Sequence, residues 1–191
     1  MEYLLLLLVI FPIFGGLINY FISKKFNKAR EIIAIAISII ELVMMVVVLI
    51  VNPLSLNVIG LSFKADGFRA IYGLIATFMW MCTVVFSKEY MKHYENKDRY
   101  YLFYLLTLGA TVGVFVSNDL WTTFMFFEMM SLTSFVLVIH DEKKETIKAA
   151  LTYLVVAIIS GMILLMGMFL LNGEVHTLNF DEIFNACQNG I

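Results

Sequence analysis

The chain has 191 residues, of which 61% are hydrophobic and 15% charged, with a formal net charge of −2 and a mean hydropathy of +0.90. That leaves too little polar surface to cover a water-soluble domain of this length, and it gives no basic excess for a nucleic-acid partner. The sequence is that of a polytopic, all-α membrane protein, with the lipid bilayer as its first partner.

Six apolar stretches are long enough to cross about 30 Å of hydrocarbon as helices. They run near Tyr3 to Ile22, Ile32 to Val51, Ala70 to Ser87, Tyr101 to Ser117, Leu120 to Ile139 and Ile147 to Leu171. None shows the two-residue alternation of a barrel strand. The first has no basic region ahead of it and no small-residue cleavage pattern after it, so it reads as a retained helix rather than a signal peptide. The chain thus divides into a six-helix transmembrane domain, 1–173, and a short amphipathic tail, 174–191.

The connections give the orientation. Lys24, Lys25, Lys28 and Arg30 fall between spans one and two, Lys88, Lys92, Lys97 and Arg99 between three and four, and Lys143, Lys144 and Lys148 between or at the edges of five and six. The opposite connections hold only Lys64 and Arg69. Short Lys/Arg-rich loops stay cytoplasmic, so the N-terminus and the tail are expected outside. A multi-pass protein of the cell (inner) membrane follows.

Turn signals punctuate the spans. Asn52-Pro53, Gly60 and Gly67 break the long outer connection into a turn-rich segment. Asp119, at the end of Ser117-Asn118-Asp119, is placed to cap the fifth helix. In the tail, Asn179 with Glu182 resembles a capping box, with Leu178 and Ile183 as its staple. A short helix from about Phe180 to Cys187 would lie on the membrane surface.

The chemistry concentrates in buried acids. Glu128 is the one charged residue of the fifth stretch and sits near its middle. A charge at that depth costs about 2.5 to 3.5 kcal/mol on insertion scales, so it needs a partner or a proton, and an intramembrane acid is a functional-site hypothesis by default. Glu41 is placed similarly in the second stretch, with Ile37, Ser38, Met44 and Met45 as helical neighbours. Both acids are open to a purely structural, hydrogen-bonding role. Neighbouring spans offer hydroxyls at Thr107, Thr111, Thr152 and Ser160, with Gly109, Gly113, Gly161 and Gly167 suited to close packing in lipid. His140, beside Asp141 and Glu142, is a candidate proton entry point or part of a solvated, charged turn. The two cysteines, Cys82 and Cys187, lie far apart without ligand-like neighbours, so no metal site, disulfide framework, haem or iron–sulfur cluster is expected. The scattered methionines suit gap-filling in the core.

Taken together, Ala65-Asp66-Gly67, Glu89-Tyr90-Met91, Tyr100-Tyr101 and the run GVFVSNDLWTTFMFFEMMSLTSF, Gly113 to Phe135, resemble the proton-translocating antiporter-like subunits of respiratory complex I, membrane-bound hydrogenases and multi-subunit sodium/proton antiporters. The likeness is good from Asp66 to about Gly161 and loose at the ends. It implies that Glu128 matches the family's glutamate on the fifth helix, in a larger unit of two inverted repeats, each with a broken helix. In that scheme the glutamate pairs with a lysine on the seventh helix, and the pairing relays changes from a distant redox module. Many relatives carry a basic residue near Thr152, and Lys148, one turn earlier, is a candidate substitute in the path, though a lysine at a helix edge usually snorkels to water.

The resemblance further implies a subunit of a redox-driven translocase such as NADH-quinone oxidoreductase, with no redox centre or cofactor on this chain and other membrane subunits as partners. The chain stops before the seventh helix and the second repeat. It is therefore expected to be a fragment of a longer product, or a split subunit completed by another chain, and not to transport alone. The competing reading is a non-transporting scaffold or assembly subunit whose buried acids fix helix contacts.

Overall fold

A computed structural model describes residues 2–26, 29–94 and 96–188. Lys28, one of the basic residues used for orientation, lies outside them. Six long helices, a two-stranded hairpin and a short terminal helix follow in chain order: α1 Tyr3–Ser23, α2 Ala29–Val51, β1 Leu54–Val58, β2 Leu61–Ala65, α3 Gly67–Tyr90, α4 Lys97–Val116, α5 Leu120–Val138, α6 Lys144–Val175 and α7 Phe180–Gln188. All six long helices are long and apolar enough to span a membrane. Hydrocarbon forces this architecture, because every backbone N–H and C=O within it must be satisfied inside its own helix. The chain is a multi-pass membrane protein.

Helices α1 to α4 and the hairpin form the packed core, and from α5 only Phe126 and Leu137 reach it. α4 is at its centre and is buried on several sides, through Tyr101, Tyr104, Leu108, Val112 and Val116 among others. Two glycines let its backbone approach both neighbours. A Cβ on Gly109 would come within 2.9 Å of the Val9 carbonyl oxygen of α1, and one on Gly113 within 2.5 Å of the Phe126 ring of α5. Lipid offers little hydrophobic drive between helices, so such close contact supplies the packing energy.

The long connection between α2 and α3 is more ordered than its turn signals suggest. β1 pairs antiparallel with β2, from Leu54 opposite Ala65 to Val58 opposite Leu61. The two-residue turn Ile59-Gly60 has positive φ at both positions, as a twist-matched tight hairpin turn requires. Alternate residues Leu54, Leu56, Phe63 and Ala65 are buried, which seals this end of the bundle. The alternation that places them inside is the strand period of two, over too few residues to stand out in the sequence.

The hairpin also ties down the neighbouring connections. Asn118 N–H donates to the Ser62 carbonyl at 2.8 Å, Leu120 N–H to the Leu178 carbonyl at 2.9 Å and Phe180 N–H to the Asn118 carbonyl at 3.2 Å. Lys64 pairs with Asp181 at 2.6 Å, and the Arg69 guanidinium lies 5.8 Å from the centre of the Phe180 ring. α7 is thereby held against the hairpin end. Asn179 Oδ1 accepts from the N–H groups of Asp181 and Glu182, as a cap should. The reciprocal half of the expected capping box is absent: the Glu182 carboxylate accepts from the Thr177 hydroxyl, and the Asn179 N–H donates to Thr177 Oγ1 at 3.2 Å.

Candidate ion-path site

The site is built on α5, whose start is fixed by Asp119. Its Oδ1 accepts from the Thr122 N–H at 2.7 Å, and its Oδ2 accepts from the Thr122 hydroxyl at 2.6 Å and the Ser62 N–H at 3.2 Å. The cap therefore joins helix to hairpin. One stripe of α5 faces α4: Thr122 is buried, Phe126 lies over Gly113, and the Thr107 hydroxyl of α4 donates to Thr133 Oγ1 at 2.9 Å.

Glu128 lies off that stripe and meets α6. A Cβ built on Gly161 would fall 2.0 Å from Glu128 Oε1 and 2.7 Å from its Cδ. Only a residue without a side chain leaves that volume to the carboxyl. Oε1 is buried with no hydrogen-bond partner. Among the described residues none of the ion pairs involves Glu128. The result is an acidic group at mid-span, held between two helices and lacking a counter-charge.

Gly161 was legible in the sequence only as a small packing residue. It belongs to the stripe Ala150, Leu154, Ala157, Gly161, Leu165 and Met168, the less exposed face of α6. Because α6 is apolar nearly all round, no hydropathy contrast marks that stripe. A second tie between the helices, Ser134 Oγ to Tyr153 Oη at 2.6 Å, gives no signal in the sequence either.

The other expected site residues are not gathered around Glu128. Lys148 and Thr152 are exposed, and the Thr152 hydroxyl donates to the Lys148 carbonyl at 3.0 Å. At 100° per residue both lie on the side of α6 roughly opposite Gly161, with Lys148 about 20 Å from it along the axis. His140 is 8% exposed, and neither ring nitrogen has a partner. Its ring packs between Tyr94, at 5.9 Å, and Tyr100, at 5.4 Å. The adjoining acids pair elsewhere, Asp141 with Lys143 at 2.8 Å and Glu142 with Arg99 at 2.6 Å. His140 is thus set in an aromatic recess beside a paired, charged turn, about 18 Å along α5 from Glu128. Glu41 is on a different helix, wholly buried among α1 to α4. Among the described residues no group of three or more His, Cys, Asp or Glu side chains is arranged to hold a metal ion.

A multi-helix membrane bundle carrying an unpaired carboxyl at mid-depth defines a class: membrane proteins with an intramembrane ionisable site. Comparisons with known proteins narrow it. Residues 117–191 match the family model described as NADH:quinone oxidoreductase/Mrp antiporter, TM. The chain is 30% identical over 192 residues to the "Putative antiporter subunit mnhD2" of Staphylococcus haemolyticus (strain JCSC1435), an alignment covering 94% of this chain and 38% of that protein. Its counterpart in Staphylococcus aureus (strain Newman) is 29% identical with the same coverage.

Among solved structures, the fold matches a chain of the membrane-bound sulfane sulfur reductase, an archaeal respiratory membrane complex, with TM-score 0.86 and 18% identity over 96% of this chain and 39% of that one. It also matches a chain of the Mrp complex from Dietzia sp. DQ12-45-1b, with TM-score 0.80 and 17% identity over 94% of this chain and 20% of that one. Residues 117–191 thus match the antiporter-like family shared by complex I and Mrp antiporters, and the chain as a whole is similar to its members. It spans about 38% of the length of the curated relatives it matches.

Proposed function

We propose that this chain is part of a proton- or sodium-translocating subunit in a multi-subunit membrane complex, and that Glu128 is its ion-path carboxyl. The observation that carries the reading is the seat of that carboxyl: mid-span, over Gly161, with one oxygen buried and unpartnered. Such a group binds and releases a cation when the electrostatics around it change. The relatives' description as antiporter subunits supports the same reading.

In this proposal the lysine-rich end faces the cytoplasm and the hairpin end faces out, following the positive-inside rule. The subunit works in the cell (inner) membrane with other membrane subunits, and any redox chemistry belongs to those. His140 marks the cytoplasmic approach to Glu128. Lys148 and Thr152 contribute through the side of α6 that faces away from α5, where a further helix would meet them.

The test is Glu128→Gln in the full complex reconstituted into vesicles, with cation translocation and subunit assembly both measured. Gln keeps the size and hydrogen bonding of Glu but cannot exchange a proton or hold a charge. Translocation is expected to be abolished with assembly intact. Normal translocation, or a complex that fails to assemble, favours the scaffold reading instead.

A further inference from the structure

Glu41 is 0% exposed, and neither of its carboxyl oxygens has a hydrogen-bond partner. It lies on the buried face of α2 with Ala34, Ser38, Met45 and Val48. Its depth follows from one contact: the Met45 methyl fills the notch at Gly73 of α3. The two helices are antiparallel, so one turn further along each, Glu41 is level with Thr77.

The nearby hydroxyls are already committed. Ser38 donates to the Ala34 carbonyl at 3.0 Å, and Thr77 to the carbonyls of Gly73 and Leu74, each at 3.0 Å. They offer lone pairs and no free hydrogen. A carboxylate has only acceptors, so it would find nothing there to accept from, whereas a carboxylic acid can donate its own proton. The charged and titratable groups around it give no counter-charge. The buried faces of α1 and α3 carry none. α4 contributes Tyr101 and Tyr104, the latter donating to the Trp80 carbonyl. On α2, Arg30 is paired with Asp98 at 2.9 Å, and Glu31 lies beside it at the helix start.

Between Glu41 and the lysine-rich end, the same bundle holds three more buried atoms without partners: Asn19 Oδ1, Arg30 Nε and Tyr101 Oη. Asn19 Nδ2 donates to the Arg30 carbonyl at 3.2 Å, which puts α1 and α2 together at this level. Tyr101 is three residues from Asp98 and on the same side of α4. Arg30 and Glu41 are separated by about 16 Å along α2, with Ser38 on the way. Buried polar atoms rarely go unpaired, and these three, grouped around Arg30, mark a polar entrance at the lysine-rich end from which Ser38 leads on to Glu41. Toward the hairpin the buried residues Met45, Val48, Leu54 and Leu56 are all apolar, whereas toward the lysine-rich end Ser38, Tyr101 and Asn19 interrupt an apolar lining of Ala34, Ile37 and Leu105, so the polar route runs to that end alone.

We infer that Glu41 is a second proton-binding site, distinct from Glu128, enclosed by α1 to α4 and reached from the lysine-rich end past Asn19, Tyr101 and Ser38. It stands whether or not Glu128 carries transport. It gives the bundle a carboxylic acid that takes its proton from one side of the membrane only.

Infrared spectroscopy of the protein in its complex, in lipid, tests this. A protonated-carboxyl stretch is expected that disappears in Glu41→Gln, persists in Glu128→Gln, is unmoved by sodium at constant pH and shifts in D₂O. Tyr101→Phe and Asn19→Leu should each slow that D₂O shift by about tenfold or more. If Glu41→Gln does not assemble, Glu41→Asp identifies the band by moving it. A band indifferent to every Glu41 substitution, one erased by sodium, one that never shifts in D₂O, or a shift untouched by both route variants would each overturn the inference.

Discussion

α4 and α6 are both membrane-length helices, and they are used in opposite ways. Ten residues of α4, a 20-residue helix, are buried, but only Ala150, Gly161 and Met168 of the 32 in α6 are. α6 is nevertheless the more hydropathic of the two. In water the more apolar helix goes inside, whereas in lipid an apolar side chain gains nothing by leaving the acyl chains. What draws a helix into the protein there is close fit and polar contact, and α4 has Gly109, Gly113, Thr107 and the tyrosines to provide them. Glu128 lies where the packed region meets the open one, held by a single notch in α6.

The sharpest way to break that contrast is to fill the glycines. Gly109→Leu must displace Ile13, Pro12 and the Val9 carbonyl, and should cost about 3 kcal/mol, at the upper end for overpacking. A Cβ added at Gly167 would meet nothing within 4 Å, so Gly167→Leu should stay within about 0.5 kcal/mol of the parent. Unfolding in detergent with a graded denaturant compares the two. Equal costs would mean that α6 is packed as tightly as α4.

Gly161→Ala separates site from scaffold. The new methyl group occupies the place of the Glu128 carboxyl, and a misplacement of about 1 Å can cost a reacting group up to ~10²-fold in rate. Translocation by the full complex should drop by roughly tenfold or more, with a much smaller change in thermal midpoint. A loss of stability with unchanged translocation would show that the notch serves packing alone.

Asp119→Ala removes the α5 cap together with its link to Ser62. The expected loss is about 1 to 2 kcal/mol, read from the same denaturant series, and Asp119→Asn should recover part of it.

The smallest effect is at the surface. The Lys64 ammonium holds the Asp181 carboxyl below its ordinary range, chiefly through their hydrogen bond. A carboxyl depressed on folding adds stability above its unfolded value, near pH 4, and loses it as the pH falls through the lower folded value. The protection of α7 amides relative to their intrinsic exchange rates should therefore fall in acid, modestly because the pair is exposed. Lys64→Ala should remove most of that acid dependence.

Local chemistry explains which features were legible. The spans could be read because hydrocarbon demands long apolar helices. Asp119 could be read as a cap because capping depends on residues next to one another, and Glu128 because its depth is set by position along one helix. The hairpin was read only as turns, since five-residue strands give little periodicity. His140 left both its readings open, because the rings of Tyr94 and Tyr100 that enclose it come from elsewhere in the chain. Lys148 and Thr152 sat plausibly near a path by number, but helical phase turns them away from Glu128.

The sequence by itself determined that this is a six-span helical membrane protein with two acids at mid-depth, because lipid constrains each helix separately and rewards nothing polar. Only the tertiary structure decided that Glu128 rests over Gly161, that Glu41 is buried among α1 to α4 with no donor to meet it, and that α4 lies at the core while α6 lies at the edge. Those outcomes depend on which faces meet. In helices that are apolar nearly all round, that choice is made by the fit of small residues against their neighbours, and hydropathy leaves no record of it.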